Sequence, residues 1–148
     1  MREETEYQRK LTIKKGQQAA FRRFIRGQST PINIRDYIGL NWQETKEILQ
    51  SRMLPSMMWN NYGSHWVVDH LVPFWVFDVE NEKELKLLWH PENLMPMIWK
   101  DNNHKQGDLR FSLLILSRRK DYCHERELLI DRCERELKQM DKYIVINS

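Results

Sequence analysis

Residues 57–77 read MMWNNYGSHWVVDHLVPFWVF, a run dense in aromatic and β-branched side chains. Such residues suit a pleated, half-buried surface. Within the run, HWVVD at residues 65–69 predicts a strand that delivers Asp69 and His70 at its end, and Pro73, which has no N–H to donate, stops the pairing. Residues 93–99, NLMPMIW, predict a second short strand. Between them, ENEKELKLLW at 80–89 sets Leu85, Leu88 and Trp89 at helical spacing, so a short helix lies inside the loop. Asp101 suits the first turn of a following helix. The local order is strand, loop with helix, strand, helix, and it predicts an α+β fold.

On the N-terminal side, QQAAFRRFI at 17–25 has helical potential, with Ala19, Ala20, Phe21, Phe24 and Ile25 clustering on one side, and GQSTP at 27–31 breaks it. Ile34, Tyr37 and Ile38 predict a short helix that ends at Gly39. Asn41 offers a cap for the next, with Glu44 three residues on as a capping box requires, and Ile48, Leu49 and Met53 form its apolar stripe. Helix, glycine turn, helix is the order of a DNA-binding helix-turn-helix, but Asp36, Glu44 and Glu47 offset Arg35, Lys46 and Arg52, which favours a plain hairpin packed on the core. Residues 111–143 read as mostly helical, with Leu114, Tyr122, Leu129, Cys133, Leu137 and Met140 as inward positions. The expected organisation is a basic N-terminal arm (1–30), a helical pair (31–56), a core (57–110) and a charged helical region (111–148).

The chain has 148 residues, 41% of them hydrophobic, which is enough for one core without disulfides. Cys123 and Cys133 form no CxxC pair, which excludes a zinc ribbon and fits a reducing compartment. No apolar run approaches the roughly 20 residues of a membrane span, and the opening MREETEYQRK lacks the apolar region of a secretory signal. The expectation is a cytoplasmic protein, in the host cytoplasm if it is phage-encoded, with no membrane partner.

The net charge of +3 hides an uneven distribution. Residues 1–34 carry eight bases and three acids, and from Arg9 to Arg26 there are seven bases (Arg9, Lys10, Lys14, Lys15, Arg22, Arg23, Arg26) and no acid. Such a segment attracts a phosphate backbone and releases its counterions; a solvated tail would look the same. Residues 106–148 mix nine bases with eight acids, as an exposed helix laced with ion pairs does.

Three groups carry potential chemistry: Asp69–His70, Asn93, and Asn102-x-x-Lys105. Asp69 is a hard oxygen ligand for Mg²⁺ or a similar cation, and Asn102 can supply a second oxygen across the hairpin, which leaves most of the shell to water and phosphate. A neutral imidazole at His70 can take a proton from water near pH 7.

These residues carry a resemblance. W-x-N-Y-G-x-x-W-x-x-D-H-x-x-P from Trp59 to Pro73, then Trp89-His90-x-x-Asn93-Leu94-x-Pro96, then Asp101-Asn102-x-x-Lys105, are similar to the HNH endonucleases (ββα-metal, or His-Me finger, nucleases), especially the small phage and intron-associated kind. Three blocks in order within about 50 residues are specific where a DH dipeptide alone is not; they cover roughly a third of the chain. The resemblance implies a small ββα-metal core flanked by N-terminal and C-terminal helices. It implies Asp69 as metal ligand, His70 as general base, and Asn93 bracing the loop and orienting His70 through backbone hydrogen bonds. Asn102 stands where a strict H-N-H has its last His and would be the second ligand, with Asn103 or His104 as alternates. Lys105 would lie near substrate phosphate. The implied cofactor is a divalent cation, Mg²⁺ first, with Mn²⁺ or another divalent ion as substitutes.

The implied activity is metal-dependent hydrolysis of double-stranded DNA. One copy of the motif in a monomer would nick, whereas a double-strand break needs a homodimer. A bacteriophage homing enzyme and a packaging nuclease working with a phage terminase both fit. A catalytically silent DNA-binding protein that keeps the fold, and an interaction protein acting through the C-terminal helix, stay open beside it. His65 reads as structural or at the substrate edge, His90 as structural and His124 as solvated. Trp59, Tyr62, Trp66, Trp75, Trp89 and Trp99 read as core, since large aromatics give a small unit an efficient interior.

Overall fold

The computed structural model describes residues 4–30, 32–100 and 108–147, with side chains through residue 142. The architecture is α+β: six α-helices and one two-stranded antiparallel sheet among the described residues. β1 (Trp66–His70) runs against β2 (Leu94–Ile98), with Trp66 opposite Ile98 and His70 opposite Leu94. Both strands fall where the sequence predicts them, within a residue at each end. Pro96 is tolerated in β2 because in a two-stranded sheet every strand is an edge. The connection between the strands holds a 3₁₀ turn at Phe74–Val76, the helix α4 (Glu82–Leu88), capped by Asn81, and a second 3₁₀ turn at Pro91–Asn93.

α1 (Glu6–Ile25) begins well before the predicted residue 17. Thr5 accepts from the Gln8 amide at 3.1 Å while Gln8 Oε1 accepts from the Thr5 amide, a complete capping box. The stretch read as a basic arm is therefore largely helix. Ala20, Phe21, Phe24 and Ile25 of α1 enter the core.

Gly27 ends the connection out of α1 at φ +74°, and a Cβ there would lie 3.1 Å from the Trp42 ring, so neither the conformation nor the space suits another residue. α2 (Ile34–Ile38) stops at Gly39, and α3 (Trp42–Gln50) starts on the Asn41–Glu44 capping box. Thr45 and Leu49 bury the inner face of α3.

The C-terminal region forms two helices, α5 (Leu109–Arg118) and α6 (His124–Asn147), separated by a break in which Asp121 takes φ 65°. Leu129 and Cys133 are fully buried and Leu137 packs against the core, as predicted. Leu114, Tyr122 and Met140 are exposed, against the prediction. The break explains the first two. The buried stripe of α5 is Leu109, Ser112 and Leu116, with Leu114 on the opposite side, and Tyr122 lies in the break itself. Met140 lies beyond Leu137, the last packed position among the described residues.

A charged clamp holds the β2 side of this assembly. Glu92 receives Arg119 Nη1 at 2.9 Å, Arg126 Nη1 at 3.5 Å and Arg52 Nη2 at 3.7 Å. Arg52 Nη1 also donates to the carbonyls of Pro91 at 2.6 Å and Leu94 at 3.0 Å, and Arg119 to the Glu92 carbonyl. The ends of α3 and α5 and the first turn of α6 thus close on one loop. Burial pushes the Glu92 carboxyl up, but the Arg119 hydrogen bond and the three guanidinium charges hold it below the usual carboxylate range. Burial and the neighbouring Arg119 lower Arg52 to about 10, which leaves it charged at neutrality. Nearby, Arg132 grips Glu84 with two bonds of 2.8 and 2.5 Å and ties α6 to α4. Among the described residues no helix is long and apolar enough to cross a membrane.

Candidate active site

The sequence of β1 ends on a half-buried Asp69 and a buried His70. The two line one cleft of about 530 Å³, walled on one side by α1 and on the other by the segment that follows β1. His70 is boxed by aromatic edges: its ring meets Trp89 at 4.4 Å and Phe74 at 4.9 Å, both nearly perpendicular. Trp89 is fixed in turn by α1, since Phe21 stacks on it at 5.4 Å and its indole Nε1 donates to Gln17 Oε1 at 2.8 Å.

Asn93 is fully buried and spans the loop. Its Nδ2 donates to the carbonyls of Val72 at 3.0 Å and Leu88 at 2.9 Å, and its Oδ1 accepts from the Val72 amide at 2.8 Å. Its backbone carbonyl accepts from the Leu71 amide, the residue directly after His70, at 2.8 Å. The backbone leaving β1 is therefore pinned just beyond the histidine. Ser112 of α5 donates its hydroxyl to the Leu71 carbonyl and fixes the same turn from the other side.

α1 supplies the opposite wall. Tyr7, Lys10, Leu11, Lys14 and Gln18 recur at helical spacing and line the cleft. Lys14 Nζ lies 5.5 Å from the Phe74 ring centroid, and Lys10 pairs with Glu6 at 3.1 Å on the helix surface. The other bases of α1 go elsewhere. Arg9 meets Glu80 at 2.7 Å, Arg23 Nε donates to the Ser29 carbonyl at 2.9 Å, and Arg26 sits over the Tyr62 ring. Lys15 and Arg22 are exposed. Of the predicted basic set, the structure brings Lys10 and Lys14 to Asp69 and His70.

Asn102, its alternates Asn103 and His104, and Lys105 lie outside the described residues. Among the described residues no three His, Cys, Asp or Glu side chains converge as a metal would need. Asp69, a hard oxygen donor on the cleft wall, fits a cation such as Mg²⁺ as one ligand. His65 lies within hydrogen-bond distance of Ser56, and His90 Nδ1 accepts from the Glu92 amide at 3.1 Å, so both are held structurally, while His124 is exposed. Burial pulls the His90 imidazole below its ordinary range, although Glu125 and Glu92 oppose the shift.

Trp66 and Trp89 are core, and Trp59 and Tyr62 pack on Trp66 at 5.0 and 4.9 Å. Trp75 and Trp99 are not core: they are 58% and 51% exposed. Trp75 projects outward from a 3₁₀ turn whose neighbours Phe74 and Phe77 take the inward positions. Sequence reading named Lys10 and Lys14 of the α1 wall but missed Tyr7, Leu11 and Gln18. The signal was present, because Thr5-x-x-Gln8 is a capping box that starts the helix early enough to put Tyr7, Leu11 and Lys14 in line.

No family model and no solved structure matches the chain. It is 27% identical over 74 residues to an uncharacterized protein, L426, of Acanthamoeba polyphaga mimivirus, a match that takes in 50% of this chain and 33% of that protein. The chain thus spans about a third of the length of the mimivirus protein it matches.

Proposed function

We propose that this chain is an HNH-type endonuclease that hydrolyses phosphodiester bonds of DNA with a divalent cation. The observation that carries the reading is the placement of His70: buried at a strand end, edged by Trp89 and Phe74, with the following backbone pinned by Asn93, on a cleft that Asp69 and two lysines share. In this reading His70, as the neutral imidazole, takes the proton of the attacking water. The water oxygen then attacks phosphorus and the bond to the leaving 3′ oxygen breaks. Asn93 acts through the backbone it braces, and the aromatic walls keep the imidazole ring from turning. Lys10 and Lys14 hold phosphates of the strand being cut.

Asp69, together with Asn102 or one of its alternates Asn103 and His104, would hold the cation, Mg²⁺ by the hardness of the donors. When bound, it would supply positive charge where the leaving 3′ oxygen develops negative charge. A single copy of the motif makes the product of a monomer a nick.

The test is a supercoiled-plasmid assay with Mg²⁺, Mn²⁺ or EDTA, run beside His70→Ala and extended to phage DNA. Metal-dependent open circles that vanish with His70→Ala are expected. Activity that survives the substitution, or intact DNA throughout, would count against the reading.

A further inference from the structure

Two large aromatics on the cleft lie outside the buried core. Tyr7 on the α1 wall is 74% exposed and Trp75 on the opposite wall is 58% exposed. Exposed rings set into a concave site mark a binding surface more than solitary surface apolars do. On the α1 wall beside Tyr7 lie Lys10 and Lys14, the second set over the face of Phe74. Aromatic faces interleaved with cations are the means by which proteins bind unpaired nucleotides: bases stack and phosphates meet the amines. A continuous duplex offers neither, because its base faces are already stacked and only its edges and backbone are accessible. A cavity of about 530 Å³ is of a size that takes small ligands, roughly 300–1,000 Å³, and not a double helix.

We propose that this cleft seats unpaired nucleotides of DNA, with a base against Trp75 and Tyr7 and adjoining phosphates on Lys10 and Lys14. The substrate of choice is then DNA with a single-stranded stretch, such as a flap, gap or bubble, in place of unbroken duplex. The inference rests on the nuclease reading for its biological sense, but its test does not need catalysis.

The test is fluorescence anisotropy with labelled oligonucleotides in EDTA: oligo(dT), the blunt duplex of equal length and a gapped duplex. The expected result is at least tenfold tighter binding of the two substrates with unpaired stretches. Trp75→Ala should weaken these about five- to a hundredfold, the range of one lost base stack, and leave blunt duplex binding unchanged. Trp75→Phe should restore most of the loss. Lys14→Ala should lower the dependence of log affinity on log salt for oligo(dT) by about 0.7. Because Trp75 is exposed, the variants should fold, which circular dichroism checks. Equal affinity for duplex and single strand, or no effect of Trp75→Ala in a folded protein, would overturn the proposal. A tenfold preference for oligo(rU), run as a fourth probe, over oligo(dT) would also overturn it. A gapped duplex left uncut in Mg²⁺ and Mn²⁺, alongside an intact binding preference, would instead remove the nuclease reading and keep the subsite.

Discussion

The two sides of the β1–β2 unit are both strongly charged, and they treat charge in opposite ways. On the β2 side, three guanidiniums converge on the single carboxylate of Glu92 and on backbone carbonyls, in side chains only 9–19% exposed. On the β1 side, Lys10 and Lys14 stand on the wall of an open cleft, backed by an aromatic ring and a surface ion pair. The first arrangement answers its charges internally and joins helices to a loop. The second carries Lys10, paired with Glu6 on the surface, and Lys14, over the Phe74 ring, on the wall of a concave, partly aromatic space. In the proposed reading the β2 cluster serves structure and the β1 cleft serves recognition. The distinction lies in where the counter-charge resides.

The comparison can be broken most directly at the β1 side. His70→Ala should lower DNA cleavage about a hundred- to ten-thousandfold, the usual worth of a general base, in a protein whose far-ultraviolet circular dichroism is unchanged. A cleavage rate within tenfold of wild type would leave the cleft without its central residue. Asn93→Ala should act on both sides at once. It strips partners from the Val72 amide and the Val72 and Leu88 carbonyls, each a buried group whose loss of a partner is worth about 1–3 kcal/mol. A drop of about 3 kcal/mol or more in urea unfolding is the expected outcome.

Glu92→Gln sharpens the contrast. It leaves Arg119 and Arg126 facing each other without a carboxylate and should cost about 2 kcal/mol, discounted from a fully buried pair because the site is not fully enclosed. Acid should act on the same side. The Glu92 carboxyl is held below its usual value, so its contribution is present above pH 4.5 and lost as pH falls through the lower folded value. The His90 imidazole is likewise lowered, so folding favours its neutral form, and that share is complete above pH 6.5 and declines on acidification. Thermal melts should therefore fall on acidification below pH 6.5, and Glu92→Gln should flatten the part of the fall below pH 4.5. The smallest effect belongs to the cleft: Lys10→Ala should change stability by no more than about 0.5 kcal/mol, because its partner pair is on the surface.

Much of the frame was legible in the sequence. The strands at Trp66–His70 and Leu94–Ile98, the helix in the loop and the Asn41–Glu44 cap each follow from short-range patterns, which local chemistry dictates. The Asn93 position was legible through its motif, although its three hydrogen-bond partners were not. What escaped depends on distance along the chain. Gln17 meets Trp89 across 72 residues, and Arg132 meets Glu84 across 48, so no local window contains either pair. Trp75 was misassigned because composition gives the same weight to a ring that faces in and one that faces out, and only the 3₁₀ turn at Phe74–Val76 decides which.

The bond between Gln17 and Trp89 has a consequence for how this molecule could change. It is a polar contact in an otherwise apolar interface, so sliding α1 by one turn, about 5.4 Å, would strand two buried polar groups. The helix consequently has one seating. With its inner face locked in this way, the stripe at residues 7, 10, 11, 14 and 18 is held in one register along the cleft that His70 lines. The first helix thus works as a ruler: one buried polar bond sets the position of every side chain it presents to the cleft.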